Sequence, residues 1–376
     1  MMATIKKPIA MKTEMRAVRP PTIRDVALLA GVAESTVSRV LTGAETSIAI
    51  SEDTRQRVLQ AAGELAYRAH PSARALRGKG TNLLGVIVRE FDDAFFSRLV
   101  DAFVNVARDA GYDLMLGSAK GDPEQAVALS GTLNTRYCDG LLLLGDLRET
   151  PEDHSFLDTL SRQVPLILVC RGSGSLVGDT PSVTMDNRLG ARLVLDYLAE
   201  LGHRRIAFIG SARLGDLHER GEAYAEFMAG QLGGVPAGYL QLVENALEEG
   251  YQAMIRLLAL PQPPTAVFAA DDNMAIGAMK AAAEHGVAVP ADLSIVGFDD
   301  IKIAGYLHPA LTTVHQPYEE IACQAVELLL EMIRDRAIPQ PAPHVVIPPQ
   351  LVKRDSCAPP KPGTAFIDLV SQSETG

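Results

Sequence analysis

The sequence predicts a small all-α domain at the N-terminus, followed by an α/β body whose parallel sheets form two lobes. Residues 22–67 contain three short helical patterns, interrupted by a glycine and by a loop. Beyond residue 81, eight apolar runs alternate with helical stretches, as buried parallel strands joined by crossover helices do. Because eight such units are more than a single sheet of one domain usually holds, we expect two lobes.

The composition indicates a globular protein of a reducing compartment. The chain has 376 residues, 47% apolar and 22% charged, which is enough to build sizeable cores. Its four cysteines include no CxxC pair, which disfavours a disulfide framework and a zinc site. Because the sequence shows no signal-peptide core and no run of 18 apolar residues, we expect a cytoplasmic protein with no membrane partner.

Positive charge is concentrated at the start of the chain. Residues 1–80 hold 13 Lys and Arg against 7 Asp and Glu, whereas residues 81–376 hold 22 against 39. A basic head on an acidic body indicates that only the head meets a polyanion such as DNA. A solubilising basic tail is the alternative that charge alone leaves open.

The head divides into three predicted helices. Thr22 can cap a helix over 23–30, which Gly31 ends, and a second helix follows over 34–41. Ser51 can cap a third helix that runs to about residue 66. Two short helices joined by Ala-Gly-Val form a helix-turn-helix pattern.

The second predicted helix has one apolar and one polar face. Val37, Val40 and Leu41 supply its buried side. Its outward positions carry hydrogen-bonding side chains of the kind that contact base edges, namely Glu34, Ser35, Ser38 and Arg39. A generic three-helix bundle is the alternative, and the basic charge of the head favours DNA binding.

In the body, paired acids follow two strand-like runs. Asp271-Asp272 comes after "AVFAA" and Asp299-Asp300 after "IVGF", and the C-terminal ends of strands are where open α/β sheets bind ligands. The stretch 172–178 is neither GxGxxG nor a Walker A loop, and no GxSxG or HExxH occurs. We therefore expect ligand binding without turnover, and neither an enzyme, a cofactor nor a metal.

Several motifs resemble one family over about residues 22–354. They are "TIRDVALLAGVAESTVSRVLTG", "ISEDTRQRVLQAAGELAYRAHPSARALRG", "GHRRIAFIG", "DDNMAIGAMKAAAEHGVAVPADLSIVGFDD" and "PALTTVHQP". Together they resemble the lactose/galactose repressor (LacI/GalR) family of transcription regulators. The resemblance implies a helix-turn-helix head that binds operator DNA as a homodimer. It also implies a body like the periplasmic sugar-binding proteins, with a small effector held between two lobes.

The resemblance and the patterns together predict the domain boundaries. We expect a disordered basic arm over 1–20, the DNA-binding head over 21–68, a hinge helix and linker over 69–80, the body over 81–355 and a loose tail over 356–376. Within the body, lobe one is expected over about 81–184 and 316–338, and lobe two over about 185–314 and 340–354. The proline-containing tail shows no sustained heptad, which favours a dimer over a tetramer.

The DNA-binding residues are carried over from the family's motif. The resemblance places Glu34 and Ser35 at variable base contacts and Arg39 at a base or phosphate, with Thr22, Thr36, Ser38 and Thr54 near the DNA backbone. Glu34 is unusual there, because phosphates repel a carboxylate. It can accept a hydrogen bond from cytosine N4, or it can be a solvated charge favourable to the helix dipole, and both remain open.

The hinge is the second DNA-contacting segment that the resemblance implies. It includes His70, Ala73, Arg74 and Leu76. A helix of about eight residues is marginal alone, so it is expected to form on DNA. Leu76 aligns with the family's leucine wedge, which enters the minor groove and kinks the duplex. Packing of this leucine on the body is the alternative.

The effector-binding residues also come from the resemblance. They are Phe95, Phe96, Cys170, Asp216, Arg220, Asp271 and Asp299. Cys170 departs from the family, where many members have an aspartate that grips the effector. A sugar or sugar derivative is expected, with purines and other metabolites left open. A regulator without effector control is one alternative, and a solute-binding transport protein with the same two-lobed body is another.

Overall fold

The computed structural model describes residues 19, 21–42, 50–67, 80–134, 137–147, 157, 160–172 and 180–361. The chain divides into two compact units, Met1–Lys79 and Gly80–Gly376. The expected arm (apart from Arg19) and the hinge residues His70, Ala73, Arg74 and Leu76 lie outside the described residues, as does the end of the tail.

The first unit contains the three predicted helices, α1 (Ile23–Ala30), α2 (Glu34–Thr42) and α3 (Glu52–Glu64). The predicted starts are confirmed, since Thr22 precedes α1 and the Ser51 hydroxyl accepts a hydrogen bond from the Thr54 backbone N–H at 3.3 Å. Gly31 ends α1 in the left-handed conformation, with a φ of 66° that suits glycine.

The core of the first unit is small and apolar. Val26 of α1, Val37 of α2 and Val58 of α3 are fully buried and belong to one cluster. Arg57 Nη1 donates to the Ala30 carbonyl at 3.1 Å, which joins α3 to the end of α1. The expected apolar side of α2 is therefore confirmed, and its polar side is left outward.

Lobe one of the second unit is built on a six-stranded parallel sheet. Across the sheet the strands follow the order His344–Ile347 (β11), Ser182–Met185 (β5), Leu166–Val169 (β4), Gly140–Leu144 (β3), Leu83–Val88 (β1) and Asp113–Ser118 (β2). Its strands and helices in chain order begin with β1 (Leu83–Val88), α4 (Ala94–Asp109), β2 (Asp113–Ser118) and α5 (Pro123–Asn134). They continue with β3 (Gly140–Leu144), β4 (Leu166–Val169) and β5 (Ser182–Met185). The runs of β1 and β3–β5 are buried, as continuous apolar runs predict, whereas β2 is an edge strand with partly exposed side chains.

Lobe two is built on a four-stranded parallel sheet in the order β7-β6-β8-β9. Its elements are α6 (Asn187–Glu200), β6 (Ile206–Gly210), α7 (Gly215–Gln231), β7 (Leu240–Leu242), α8 (Leu247–Leu258), β8 (Ala266–Ala269), α9 (Asp272–Glu284) and β9 (Ser294–Val296). Strand β7 was not predicted, because it is a three-residue edge strand with exposed leucines rather than an apolar run.

The chain then crosses between the lobes. A short 3₁₀ helix (Lys302–Tyr306) and β10 (Thr313–His315) are followed by α10 (Tyr318–Asp335), β11 (His344–Ile347) and β12 (Gln350–Val352). The helix α10 packs on lobe one, and β10 pairs with β12 in an antiparallel ribbon. The expected assignment of 340–354 to lobe two is wrong for His344–Ile347. These residues pair with β5, whose free edge accepts one more parallel strand.

The predicted loose tail from residue 356 is also wrong at its start. Ser356 is fully buried; its hydroxyl accepts from the Thr312 N–H at 2.9 Å and donates to the Ile295 carbonyl at 2.6 Å. His203, also buried, contacts the Ala358 carbonyl at 3.0 Å. These bonds attach residues 356–358 to the outside of β9.

No helix within the described parts of the chain is both long and apolar enough to cross a membrane. Among those same residues, no group of three or more His, Cys, Asp or Glu side chains could hold a metal ion.

Candidate functional site

The outward face of α2 is the candidate nucleic-acid surface of the first unit. Glu34 and Ser35 are exposed, whereas Thr36, Ser38 and Arg39 are half-buried beside the core residues. At the N-terminus of α1, Thr22 donates through its backbone N–H and its hydroxyl to Asp25 Oδ2, both at 2.8 Å. These hydrogen bonds lower the pKa of the Asp25 carboxyl to about 2. Thr22 before α1, and Glu34 and Ser35 at the start of α2, are thus held at well-formed helix N-termini.

The candidate effector site of the second unit lies where the two lobes meet. Helix α7 supplies Arg220, which is almost fully buried. Its Nε donates to Asn187 Oδ1 at 2.9 Å and its Nη1 to the Ala270 carbonyl at 2.6 Å. Its guanidinium lies 3.7 Å from the centre of the Phe298 ring. Arg220 is therefore held rigidly, with one face on an aromatic ring.

Asp271 and Asp299 lie shortly beyond the C-terminal ends of β8 and β9, where ligand binding at strand ends predicts them. Asp271 caps α9, and its Oδ1 accepts from the Met274 N–H at 2.7 Å. Asp299 Oδ1 lies 3.6 Å from Arg220 Nη1 and accepts from Gln316 Nε2 at 2.6 Å. Burial raises the pKa of Asp271 to about 7 and the pKa of Asp299 well above its ordinary value. Burial therefore favours the neutral form of both carboxyls.

The backbone of Asp216 joins lobe two to lobe one through Asp146, a residue that sequence reasoning missed. Asp146 follows β3 in lobe one and is buried. Its Oδ2 accepts from the Gly172 N–H at 2.9 Å and from the Asp216 N–H of α7 at 3.0 Å. The Asp216 carboxylate lies 3.7 Å from Arg220 Nη2, and burial raises its pKa. One carboxylate of lobe one thus binds the first turn of a lobe-two helix, where the helix dipole favours an anion.

Arg89 is the second residue that sequence reasoning missed. It follows β1, is almost fully buried, and its Nη2 donates to Asp93 Oδ2 at 3.0 Å. With its amide oriented to satisfy both neighbours, Asn245 of lobe two donates to Asp271 and accepts from Arg89 Nη2 at 3.3 Å. Arg89 and Asn245 form a second polar bridge between the lobes.

Three predicted effector residues lie on the lobe-one side. Phe95 and Phe96 are both buried in the lobe-one core, and the Arg89 guanidinium sits 4.7 Å from the centre of the Phe96 ring. Cys170 is buried directly after β4 with a φ of 51°, and burial raises the pKa of its thiol. Phe96 therefore supports Arg89, and whether Phe95, Phe96 or Cys170 contacts an effector stays a prediction.

The missed residues share a sequence signal with the predicted ones. Arg89 ends the run "LLGVIVR" and Asp146 follows "GLLLLG", so each is a charged residue at the C-terminal end of a buried parallel strand. The same rule singled out Asp271 and Asp299. Applied to every strand rather than to the paired acids alone, it would also have found Arg89 and Asp146.

Comparison with known proteins agrees with this architecture. Residues 22–70 match the model for bacterial regulatory proteins of the lacI family, and residues 195–357 match the periplasmic binding protein-like domain. The transcriptional repressor CytR of Escherichia coli K12 is 35% identical over 318 residues, which cover 84% of this chain and 91% of CytR. The chain belongs to the LacI family.

Three other proteins are similar over a comparable share of the chain. The repressor PurR of Erwinia tasmaniensis is 34% identical over 341 residues, covering 90% of this chain and 97% of PurR. The lac repressor dimer bound to operator and the anti-inducer ONPF has a TM-score of 0.78 at 28% identity, covering 90% of this chain and all of that one. A CelR–cellobiose complex has a TM-score of 0.66 at 29% identity, with 89% and 99% covered.

The chain is accordingly a LacI-family transcription regulator, and the relatives named are regulators rather than enzymes. The chemistry of the lobe junction fits that class. Its carboxylates and guanidiniums are held by backbone groups and by each other, as are polar groups that fix the orientation of a ligand in a pocket. The predicted fold class, with a helix-turn-helix head and a two-lobed parallel α/β body, is confirmed.

Proposed function

We propose that the chain is a homodimeric cytoplasmic repressor that binds a two-fold operator. A small effector between the lobes, a sugar or sugar derivative, sets its affinity for that operator. Support comes from named relatives that are repressors and from the lac repressor dimer, which is bound to operator and a small ligand. DNA binds at the head and the effector binds between the lobes. The regulation is therefore a coupling free energy between these two sites, by which the effector changes the affinity for the operator.

The observation that carries the DNA-binding half is the division of α2 into two faces. Val37 and Val40 are buried in the helical core, which turns Glu34 and Ser35 to the outside at the start of the helix. The N-terminal residues of a recognition helix are those that contact base edges in the major groove. We assign base contacts to Glu34 and Ser35 and a base or phosphate contact to Arg39.

The remaining DNA contacts position the head. Thr22 precedes α1 and Thr54 lies in the first turn of α3, where backbone N–H groups and hydroxyls suit phosphate oxygens, and Thr36 and Ser38 lie along α2. In the hinge, His70, Ala73 and Arg74 would lie beside the DNA, and Leu76 would enter the minor groove. Replacement of Leu76 by Ala should abolish bending of the operator, and unchanged bending and affinity would contradict the wedge.

The effector half of the proposal rests on the buried polar residues of the lobe junction. Asp216, Arg220, Asp271 and Asp299 come from three elements of lobe two, and Phe95, Phe96 and Cys170 come from lobe one. A ligand that contacts both groups alters the distance between the lobes, and through them the spacing of the two hinges. The ligand acts as an inducer or as a corepressor according to which hinge spacing it favours.

The deciding experiment selects an operator from randomised double-stranded DNA with the purified protein. Band-shift titration then measures the affinity for that operator with and without candidate sugars. We expect a pseudo-palindromic site, a dimer on it, and a sugar-dependent change of at least fivefold in affinity. Failure to enrich any site would contradict the DNA-binding half. An operator whose affinity no small molecule alters would favour a regulator without effector control.

A further inference from the structure

A basic segment precedes the first helix of the head. Residues 1–19 contain five Lys and Arg against one Glu, so they carry most of the net positive charge of residues 1–80. This segment lies before residues 22–70, the part of the head that matches the family. All of it except Arg19 lies outside the described residues. Its charge suits a polyanion, and the helices that follow it are the DNA-binding part of the proposed function.

Arg19 joins the basic segment to the start of α1. Its Nη2 donates to Asp25 Oδ1 at 2.8 Å, while the Thr22 N–H and hydroxyl donate to the other oxygen, Oδ2. The Arg19 side chain is 69% exposed, against 23% for Asp25. The last cation of the segment therefore lies on the surface of the head, bound to the same carboxylate as Thr22.

The Asp25 carboxylate opposes the phosphate contact that is proposed for Thr22. Hydrogen bonds from Thr22 lower the pKa of Asp25 to about 2, so this group is ionised at neutral pH. A phosphate oxygen that approaches the Thr22 hydroxyl would lie beside a negative charge and be repelled. Arg19 binds the opposite oxygen of the same carboxylate and brings a positive charge to it. The ion pair thus removes a repulsion at the point where the head is expected to meet the DNA backbone.

We propose that residues 6–19 are an arm that binds the phosphate backbone of DNA beside the operator, with Arg19 as its fixed end. The proposal rests on the proposed function, because it takes the helices of the head to be bound to DNA. Fully extended, the chain from Lys6 to Arg19 spans at most about 45 Å. Phosphates repeat every ~3.4 Å along each strand, so the cations of the arm have many of them within reach. Such contacts add affinity and no sequence preference.

The test compares two full-length variants that lose the same amount of charge. The arm variant replaces by Gln the four cations Lys6, Lys7, Lys12 and Arg16. The matched control replaces by Gln four exposed cations of the body, Arg162, Arg192, Arg334 and Lys353. Band-shift titration at several salt concentrations measures the affinity of both variants and of the parent. The probes are the operator that the parent selects and an unrelated duplex of equal length.

We expect the arm variant to bind both duplexes at least tenfold more weakly than the parent at about 0.1 M salt. Each lost phosphate contact removes about 0.9 from the slope of log affinity against log salt concentration, so the slope should shrink by about 2–4. The control should stay within twofold of the parent, because charges on the body are screened beyond a Debye length. The preference for operator over the unrelated duplex should be unchanged.

Two results would overturn the arm and leave the proposed function standing. One is an arm variant that binds the operator as the control does, as a merely solubilising tail would. The other is a loss confined to the operator, which would mean that the segment contacts bases rather than the backbone. A parent protein that selects no operator would contradict the proposed function and the arm together.

A double-mutant cycle tests the role of Arg19. Arg19→Gln should weaken operator binding at least threefold, because it leaves the Asp25 charge beside the phosphate. Asp25→Asn removes that charge and keeps an oxygen that accepts from the Thr22 N–H. In the Asp25→Asn protein, Arg19→Gln should therefore change affinity less than twofold. Equal losses in the two backgrounds would overturn the neutralising role.

A charge-conserving variant keeps this test independent of the Asp25 substitution, which alters the start of α1. Arg19→Lys retains a cation that can pair with Asp25, and it should bind the operator within twofold of the parent. Thermal unfolding of each protein checks that the head is folded. If Arg19→Lys binds as weakly as Arg19→Gln, the positive charge of Arg19 is not what DNA binding requires, and the assignment of Arg19 is wrong.

Discussion

Arg220 lies with its guanidinium 3.7 Å from the centre of the Phe298 ring, stacked where two strands of lobe two end. The ring covers the apolar face of the guanidinium, and the edge donates to Asn187 and to the Ala270 carbonyl. A planar fork is required for both contacts at once. The arginine therefore joins α7, α6 and the loop after β8 into a single wall of the candidate effector site.

Replacement of Arg220 by Lys should destabilise the body although the charge is kept. An ammonium cannot stack on Phe298 and donate in two fixed directions, so we expect the free energy of unfolding to fall by about 1–3 kcal/mol. Urea denaturation measures this loss. Arg188→Lys on the exposed face of α6 is the matched control and should change stability by less than about 0.5 kcal/mol. Equal effects of the two substitutions would show that the stack contributes nothing.

Replacement of Gly172 by Ala should hold the lobes apart. A Cβ at Gly172 would collide with the backbone of Gly215, at the contact where Asp146 joins the two lobes. Because neither backbone can move without breaking the Asp146 bonds, we expect any effector to bind at least tenfold more weakly while the operator is still bound. Isothermal titration measures this change.

Gly230 supplies the control for the Gly172 substitution. It lies on the exposed face of α7, where a Cβ would meet nothing within 4 Å. Gly230→Ala should therefore leave effector affinity unchanged and slightly favour the helix. If Gly172→Ala binds effector normally, the contact between the lobes is not needed for binding.

The sequence predicted the helices and strands of this protein better than it predicted which strands pair with one another. Apolar runs and the caps at Thr22 and Ser51 place the helices and buried strands, because those signals are local. Residues 340–354 were expected in lobe two, whereas His344–Ile347 joins the sheet of lobe one. Local pattern does not tell which sheet edge a strand will join, and here the free edge of β5 decides.

In the candidate effector site too, residues with a local sequence signal were predicted and contacts that depend on the tertiary structure were not. Asp271 and Asp299 were found because they follow strands and match a family motif, whereas Arg89 and Asp146 follow strands without matching the motifs used. The bond from the Asp216 N–H to Asp146 joins residues 70 positions apart, so it depends on how the lobes meet rather than on any spacing along the chain. Cys170 was singled out by the resemblance alone, and its contact with an effector stays a prediction.

Asp271 should make stability depend on pH in a known direction. Burial and the nearby Asp93 raise its pKa from an ordinary 3.8 to about 7 in the folded protein. Between about pH 4 and 7 the folded state holds a proton that the unfolded state has lost. The Asp271 contribution to the free energy of unfolding therefore falls as pH rises through this window, by up to about 4 kcal/mol.

Asp271→Asn isolates that contribution. Asparagine caps helices as effectively as aspartate does, so the bond from the Met274 N–H is retained while the titrating proton is removed. Urea denaturation of both proteins from pH 4 to pH 8 should show the variant gaining stability relative to the parent as pH rises. A difference that is independent of pH would mean that Asp271 titrates at its ordinary value.

Glu34 provides the sharpest test of sequence reading by the head. It is exposed at the first position of α2, where a carboxylate can accept from cytosine N4 or can simply favour the helix dipole. If it reads a base, Glu34→Gln should replace cytosine by another preferred base, with adenine expected, at one position of the operator selected from randomised DNA. The parent should discriminate there by about 1–3 kcal/mol. Glu64→Gln, at the end of α3, should leave the selected sequence unchanged. An identical operator for Glu34→Gln and the parent would leave Glu34 with the helix dipole alone.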